Sequence, residues 1–151
     1  MIKIICVGKI KEKYLVDAIN EYMKRLSKYT KINVIEVNDI DNPNKDIVLI
    51  KEKELIKKYI DERDYVITLE IEGNMLSSEE LASKIDNIFI SNSIITFIIG
   101  GSYGLHEDIK KRSNYKLSFS KLTFPHQLFR VNLLEQIYRA YKINNNESYH
   151  K

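Results

Sequence analysis

The chain has 151 residues, 44% hydrophobic and 30% charged, with five glycines, two prolines and one cysteine. That length suits one domain over residues 1–151, burying roughly 70% of its unfolded surface, and Gly and Pro are too scarce for a fibrous or disordered chain. A formal net charge of +3, from 24 basic and 21 acidic side chains, falls short of the footprint of a dedicated nucleic-acid binder, so any such partner must use a local patch.

Ile2 to Val7 reads as a strand in which Cys6 packs as a small hydrophobe. A single cysteine excludes a disulfide framework and a multi-cysteine zinc site, and it fits a cytoplasmic location. The N-terminal apolar run is too short for a signal peptide, and nowhere do about 18 consecutive apolar residues occur, so neither secretion nor membrane spanning is expected. Leu15, Ile19, Tyr22 and Leu26 recur at helical spacing, and Ile32 to Val37 reads as the next strand. Asn38 to Asn44, with Pro43, is the most loop-like stretch. A second helical pattern carries Val48, Leu55, Ile56 and Tyr59 before a strand at Tyr65 to Ile71. Ser77-Ser78-Glu79-Glu80 matches a capping box opening a third helix with Leu81, Ile85 and Phe89. Strands at Ile94 to Ile99 and Tyr115 to Phe119 follow, with a short helical turn between them. Pro125 suits the first turn of a last helix running to about Ile143 and ended by Asn144-Asn145-Asn146. The order is βαβαβαβ plus that turn, and runs such as Ile94-Ile95-Thr96-Phe97-Ile98-Ile99 imply strands buried on both faces. The expected fold class is therefore α/β, a mostly parallel sheet with helices on both faces in three layers.

The last helix is apolar on two adjoining faces: Leu128, Val131, Leu134, Tyr138 and Tyr141 form one stripe, and Leu133, Ile137 and Ala140 widen it. A terminal helix needs one face to cover a sheet, so the second reads either as deep burial or as a face for another subunit.

All five glycines follow predicted strands, where an α/β sheet places its ligand. Gly100-Gly101-Ser102-Tyr103-Gly104 lacks the Gly-x-Gly-x-x-Gly dinucleotide spacing, and no Gly-Lys-Ser/Thr follows to make a phosphate loop. What remains is a strand end without side chains, letting a flat, polar-edged ligand such as adenine approach the main chain. Glu70 to Gly73, Ile99 to Gly101 and Phe119 to Phe124 all end strands, so three loops can converge on one crevice. His106, His126 and His150 are too scattered for a metal site, and Ser102, Ser118 and Ser120 have no evident base partner. Basic clusters occur at Lys9, Lys11 and Lys13 and at Arg130, Arg139, Lys142 and Lys151. The tail Glu147-Ser148-Tyr149-His150-Lys151 combines a possible base, an aromatic surface and a charge within five residues.

The block Phe97 to Leu105, Leu117 to Gln127, Arg130, Glu135-Gln136, Tyr138-Arg139-Ala140 and Tyr149-His150, together with Val7-Gly8-Lys9, Thr68-Leu69-Glu70 and Leu76 to Glu79, closely resembles the RlmH family of SPOUT-class methyltransferases. The resemblance implies an α/β fold with a C-terminal trefoil knot, S-adenosylmethionine as cofactor, and a homodimer built partly on the last helix. It also implies methyl transfer to N3 of a pseudouridine in large-subunit ribosomal RNA, within the ribosome, without metal or membrane. Carried onto this chain, the cofactor contacts fall on Leu69, Gly100, Phe119, Ser120, Lys121, Leu122, Thr123 and Phe124. The acceptor is an imide N–H that must lose its proton, and a positioned base contributes roughly 10²–10⁴-fold. His150 is the candidate base, because histidine is the side chain whose reference titration lies near neutrality and this one sits in the matching tail, with Tyr149 and Arg130 as RNA-binding or orienting groups. Two alternatives stand beside this: a methyltransferase of the same class acting on another RNA, and a nucleotide-binding, ribosome-associated module without catalysis.

Overall fold

A computed structural model describes residues 1–151 as five strands alternating with five helices: β1 (Ile2–Val7), α1 (Lys13–Leu26), β2 (Ile32–Val37), α2 (Lys45–Lys57), β3 (Tyr65–Met75), α3 (Ser78–Ser91), β4 (Ile95–Ile99), α4 (Glu107–Arg112), β5 (Tyr115–Ser118) and α5 (His126–Asn144). The strands form one sheet in the order β2-β1-β4-β3-β5, and every pairing is parallel. The expectation of a mostly parallel sheet is thus met throughout. All six residues of β1 are buried because helices cover both its faces.

Strand alternation sorts the core into two layers. Ile2, Ile4, Cys6, Ile67, Ile95, Phe97 and Ile99 point to the side closed by α1, α3 and α5, and Ile5, Val7, Val37, Val66 and Ile98 to the side where Ile56 of α2 and Ile109 of α4 pack. Each fully buried aliphatic side chain contributes about 1.5–3 kcal/mol relative to exposure, so the larger layer anchors the fold. The second side also buries polar groups, among them Lys3, whose Nζ lies 2.6 Å from the buried Asp64 carboxylate and donates to the Tyr59 carbonyl at 2.7 Å. Thr96 Oγ1 donates to the same carboxylate at 2.9 Å.

The helix starts are written locally. Ser77 and Glu80 form the reciprocal capping box, Asn44 accepts from the N–H of Asp46 and Ile47 at the head of α2, and His106 Nδ1 accepts from the N–H of Asp108 at the head of α4. Pro125 is not inside the first turn of the last helix but is its N-cap, with its carbonyl accepting from Phe129. At the other end Asn146 takes a left-handed conformation, φ 55°, while Glu147 N–H bonds the Lys142 carbonyl and Asn146 N–H that of Ile143. This Schellman arrangement stops α5 and turns the tail back along it.

The two apolar faces of α5 are spent mostly within the chain. The helix packs against both α1 and α3, so Leu133, Leu134, Ile137, Tyr138 and Ala140 are all buried. Leu128 remains 41% exposed, with Leu122 and Phe124 in the preceding loop.

Candidate active site

A cavity of about 570 Å³ opens at the carboxyl ends of β3, β4 and β5, the place a parallel sheet offers a ligand and a volume within the range of small-molecule sites. Three segments converge on it. From β3 come Leu69, Glu70, Ile71 and Glu72; after β4 come Gly100, Gly101, Ser102 and Gly104; after β5 come Phe119, Ser120, Leu122, Thr123 and Phe124.

Each segment has a local cause. β3 does not end at Ile71, and Gly73 does not follow it: the ladder jumps so that both Leu69 and Asn74 face Leu117, leaving Glu70 to Gly73 bulged out of register. A Cβ on Gly73 would stand 2.8 Å from the Lys116 carbonyl carbon and oxygen, so glycine is what lets the bulge close against β5. The bulge supplies the cavity wall. At Gly100 the absent side chain makes room for the chain itself, because a Cβ would meet the Gly104 carbonyl oxygen at 2.5 Å. Gly104, at φ +78°, turns the chain back so that its N–H reaches the Gly101 carbonyl at 3.1 Å. The glycine cluster is therefore a closed turn and a cavity wall at once. After β5, Leu122 N–H bonds Ser120 Oγ, and Phe119 stacks edge-on with Phe129 of α5 at 4.8 Å.

Of the residues expected to hold a cofactor, Leu69, Gly100, Phe119, Ser120, Leu122, Thr123 and Phe124 line the cavity; Lys121 lies in the same loop but does not. The sequence did not single out Lys110, Leu105 or Phe129 as lining residues. Lys110 and Leu105 arrive because α4 and the turn before it fold over the second sheet face, and no spacing in the sequence marks that approach. Phe129 lies one helical turn into α5, outside the apolar stripes read from the sequence, and reaches the cavity by packing on Phe119 and Phe124. The polar wall is set by Glu70, whose carboxylate accepts from Thr68 Oγ1 at 2.6 Å and lies 3.9 Å from Lys110 Nζ.

Behind Gly101 stands Glu52 of α2, 4% exposed, its carboxylate 3.4 Å from where a Gly101 Cβ would be. Burial pushes its pKa up, countered only by a 3.5 Å bond from the Ile40 N–H. A raised carboxylate pKa favours folding most below the unfolded-state value, and that advantage fades as pH rises through the folded one. Glu52→Gln is accordingly expected to stabilise the protein at pH 7 by a few tenths of a kcal/mol to about 1, and to change nothing at pH 4. Thermal unfolding at the two pH values checks this, and equal effects at both would contradict it.

Arg130, expected as an orienting or RNA-binding group, is 2% exposed. Its Nη1 bonds Glu36 at 2.6 Å and its Nη2 the Gly8 carbonyl at 3.0 Å, while Glu36 also accepts from the Ile10 N–H at 3.0 Å. Arg130 thus ties α5 to the loop after β1. Arg130→Met is expected to cost about 2 kcal/mol in urea unfolding, below the usual 3–5 for a broken buried pair because Glu36 remains partly in water. A loss under about 0.5 kcal/mol would mean the tie is not structural. Arg139 and Lys142 are likewise engaged, with Glu135 at 2.6 Å and Glu147 at 2.9 Å, so neither is a free cation.

The tail folds onto its own helix. Tyr149 packs edge-on against Tyr138 at 5.0 Å, donates to Glu135 Oε1 at 3.0 Å and lies under the Arg139 guanidinium at 4.8 Å. Burial, with Glu135 beside it, pushes the Tyr149 hydroxyl up to about 12. His150 sits between Arg139 Nη1, 3.0 Å from its Nδ1, and Glu79 Oε1, 2.7 Å from its Nε2. Tyr149 and His150 are brought together, but Arg130 is not with them: nine residues along a helix separate it from Arg139, about 13 Å. No tail residue lines the cavity. No group of three or more His, Cys, Asp and Glu is placed to hold a metal ion, and no helix is long and apolar enough to cross a membrane.

A knob of cavity-lining loops at three parallel strand ends is shared by several cofactor-using folds, and the comparison of whole chains separates them. The family described as "Predicted SPOUT methyltransferase" matches residues 1–150. The chain belongs to the SPOUT methyltransferase family. Within it, the chain is 58% identical to the ribosomal RNA large subunit methyltransferase H of Clostridium botulinum (strain Alaska E43 / Type E3), over 99% of both chains. It is 57% identical to the protein of the same name in Clostridium novyi (strain NT), again over 99% of both. Among solved structures it is similar to a "probable methylase family protein from Haemophilus influenzae Rd KW20", with a TM-score of 0.60 at 12% identity, covering 99% of this chain and 70% of that one. That likeness concerns the fold alone. All three cavity-lining segments of this SPOUT methyltransferase lie within the matched residues.

Proposed function

We propose that this SPOUT methyltransferase, a single domain over residues 1–151, transfers a methyl group from S-adenosylmethionine to N3 of a pseudouridine in large-subunit ribosomal RNA, acting in the cytoplasm as a homodimer. The observation that carries the proposal is the convergence of Leu69, Gly100, Phe119, Ser120, Leu122, Thr123 and Phe124 on one cavity. The near-full-length relatives named as large-subunit rRNA methyltransferases support the substrate class. The residues fit the cofactor: Leu69, Ile99, Leu117 and Phe119 give an apolar slot for a flat base, main chain at Gly100 to Ser102 gives a polar edge, and Glu70 with Lys110 offers one charge of each sign to a zwitterion. When bound, the cofactor would supply a methyl group already activated by its sulfonium, leaving the protein to hold and orient the acceptor nitrogen.

The protein's part is then to align donor and acceptor, about 3–3.5 Å apart, and to receive the N3 proton. Tyr149 and His150 are proposed on the acceptor side, and Lys121, outside the cavity wall, at its rim. Their separation from the cavity within one protomer favours a dimer in which one tail serves the partner's cavity, with exposed Leu122, Phe124 and Leu128 contributing to the contact. A trefoil knot in the segment carrying β5 and α5 accompanies this proposal on the strength of the family.

Mass mapping of large-subunit rRNA from cells with and without the gene tests the proposal: one pseudouridine is expected to lose a single methyl. An unchanged map with S-adenosylhomocysteine still bound in calorimetry would favour another RNA. No binding at all would remove both methyltransferase readings and leave a non-catalytic module.

A further inference from the structure

A guanidinium has no acceptor, so at the 3.0 Å contact between Arg139 Nη1 and His150 Nδ1 the arginine donates and Nδ1 carries the lone pair. The ring proton is then on Nε2, which donates to Glu79 Oε1 at 2.7 Å. A carboxylate that fixes one ring nitrogen as N–H and leaves the other basic is the arrangement that orients a histidine for proton transfer. Arg139 does not depend on His150 to stay in place: its Nε and Nη2 are held by Glu135 at 3.2 and 2.6 Å, and only Nη1 reaches the imidazole. Tyr149, donating to the same Glu135 and packed on Tyr138, fixes the backbone beside the ring. The charged and titratable groups facing His150 are thus Glu79 from α3 and Arg139 from α5, with Glu135 and Tyr149 behind the arginine.

We propose that Glu79 is a positioning residue for methyl transfer, holding His150 as the Nε2–H tautomer so that Nδ1 takes the acceptor proton, and that Arg139 Nη1 occupies the seat the substrate N3–H takes over. The inference rests on the function proposed above and names the working atoms of its base. In the step, the N3–H bond breaks, its proton forms the Nδ1–H bond, and N3 keeps the electron pair. The resulting imidazolium faces the Glu79 carboxylate at Nε2. The exchange costs one of the arginine's hydrogen bonds and leaves its pair with Glu135 intact. Glu79 can serve this way because the first turn of α3 holds it ionised: the backbone N–H there and the His150 ring both lower its pKa.

The test uses the full-length protein with Glu79→Gln, and Glu80→Gln as a control that removes an equal charge from the same helical turn without touching His150. Nitrogen-15 spectra of the His150 ring in the protein without ligands are expected to show an Nε2–H tautomer in the wild type, in Glu80→Gln and also in Glu79→Gln, because Arg139 donates to Nδ1 in all three, so the loss of Glu79 is read in the rate and pH profile once substrate has replaced the arginine. Single-turnover methylation of large-subunit rRNA is expected to fall about 10–100-fold in Glu79→Gln, less than the full worth of a general base, with the acid limb of its pH profile moved to lower pH because the imidazolium has lost its counter-charge. S-adenosylhomocysteine binding should be unchanged. An Nδ1–H tautomer in the wild type, or a Glu79→Gln protein with wild-type rate and pH limb, overturns the inference while the proposed function stands. A wild type that binds no S-adenosylhomocysteine and methylates no rRNA overturns that function instead.

Discussion

Replacing Gly100 by alanine is expected to weaken S-adenosylhomocysteine binding about 10–100-fold in calorimetry, equivalent to about 1.4–2.8 kcal/mol. The cause lies within the turn. A methyl group at residue 100 would stand 2.5 Å from the Gly104 carbonyl oxygen and 2.7 Å from its carbon, and both are backbone atoms that cannot rotate away. The turn would have to open, moving Gly101 and Ser102 off the cavity wall. Gly101→Ala is the internal comparison, because its Cβ would meet a Val7 methyl at 3.1 Å and the Glu52 carboxylate at 3.4 Å, side-chain atoms that can shift by a few tenths of an ångström. It is expected to bind within about threefold of the wild type, well under 1 kcal/mol. Equal losses in the two variants would show that the clash with Gly104 is not what matters at this strand end.

His150→Ala is expected to lower single-turnover methylation of large-subunit rRNA about 10²–10⁴-fold, the usual worth of a positioned base. Cofactor-site affinity should remain, since His150 does not line the cavity. Two features make the size of this effect informative. His150 has both ring nitrogens engaged, so the tail holds the imidazole in a defined orientation rather than as a frayed end. Neighbouring Tyr149, raised to about 12, stays protonated across the working range and can donate but not remove a proton. A variant with unchanged rate and pH profile would assign the proton transfer to solvent or to the RNA itself.

How far the sequence carried can be followed residue by residue. β1 and the start of β3 sit where β-branched runs placed them, because a strand covered on both faces is mostly apolar, and β2, at the sheet edge with Asn33 and Glu36 exposed, is marked by its β-branched residues alone. The capping box at Ser77 was equally plain, since its two hydrogen bonds span only three residues. The end of β3 was not legible: Glu70 to Gly73 look like a strand end, and only pairing with Lys116 and Leu117 reveals a bulge followed by two more paired residues. Arg130 illustrates the same limit. Its place in a basic cluster pointed to RNA, whereas Glu36 and Gly8, 94 and 122 residues away, make it an internal tie.

By itself the sequence determined the elements, their layering and the loops that carry the family's motif, because these depend on periodicity, caps and residue types within a few positions of each other. The tertiary structure alone decided that the glycine turn closes on itself, that α5 spends most of its two apolar faces against α1 and α3 while Leu128 stays exposed, and that the tail docks through Glu79, Glu135 and Arg139. Those are contacts between segments distant in the chain, and their partners are chosen by packing geometry, which no local spacing encodes.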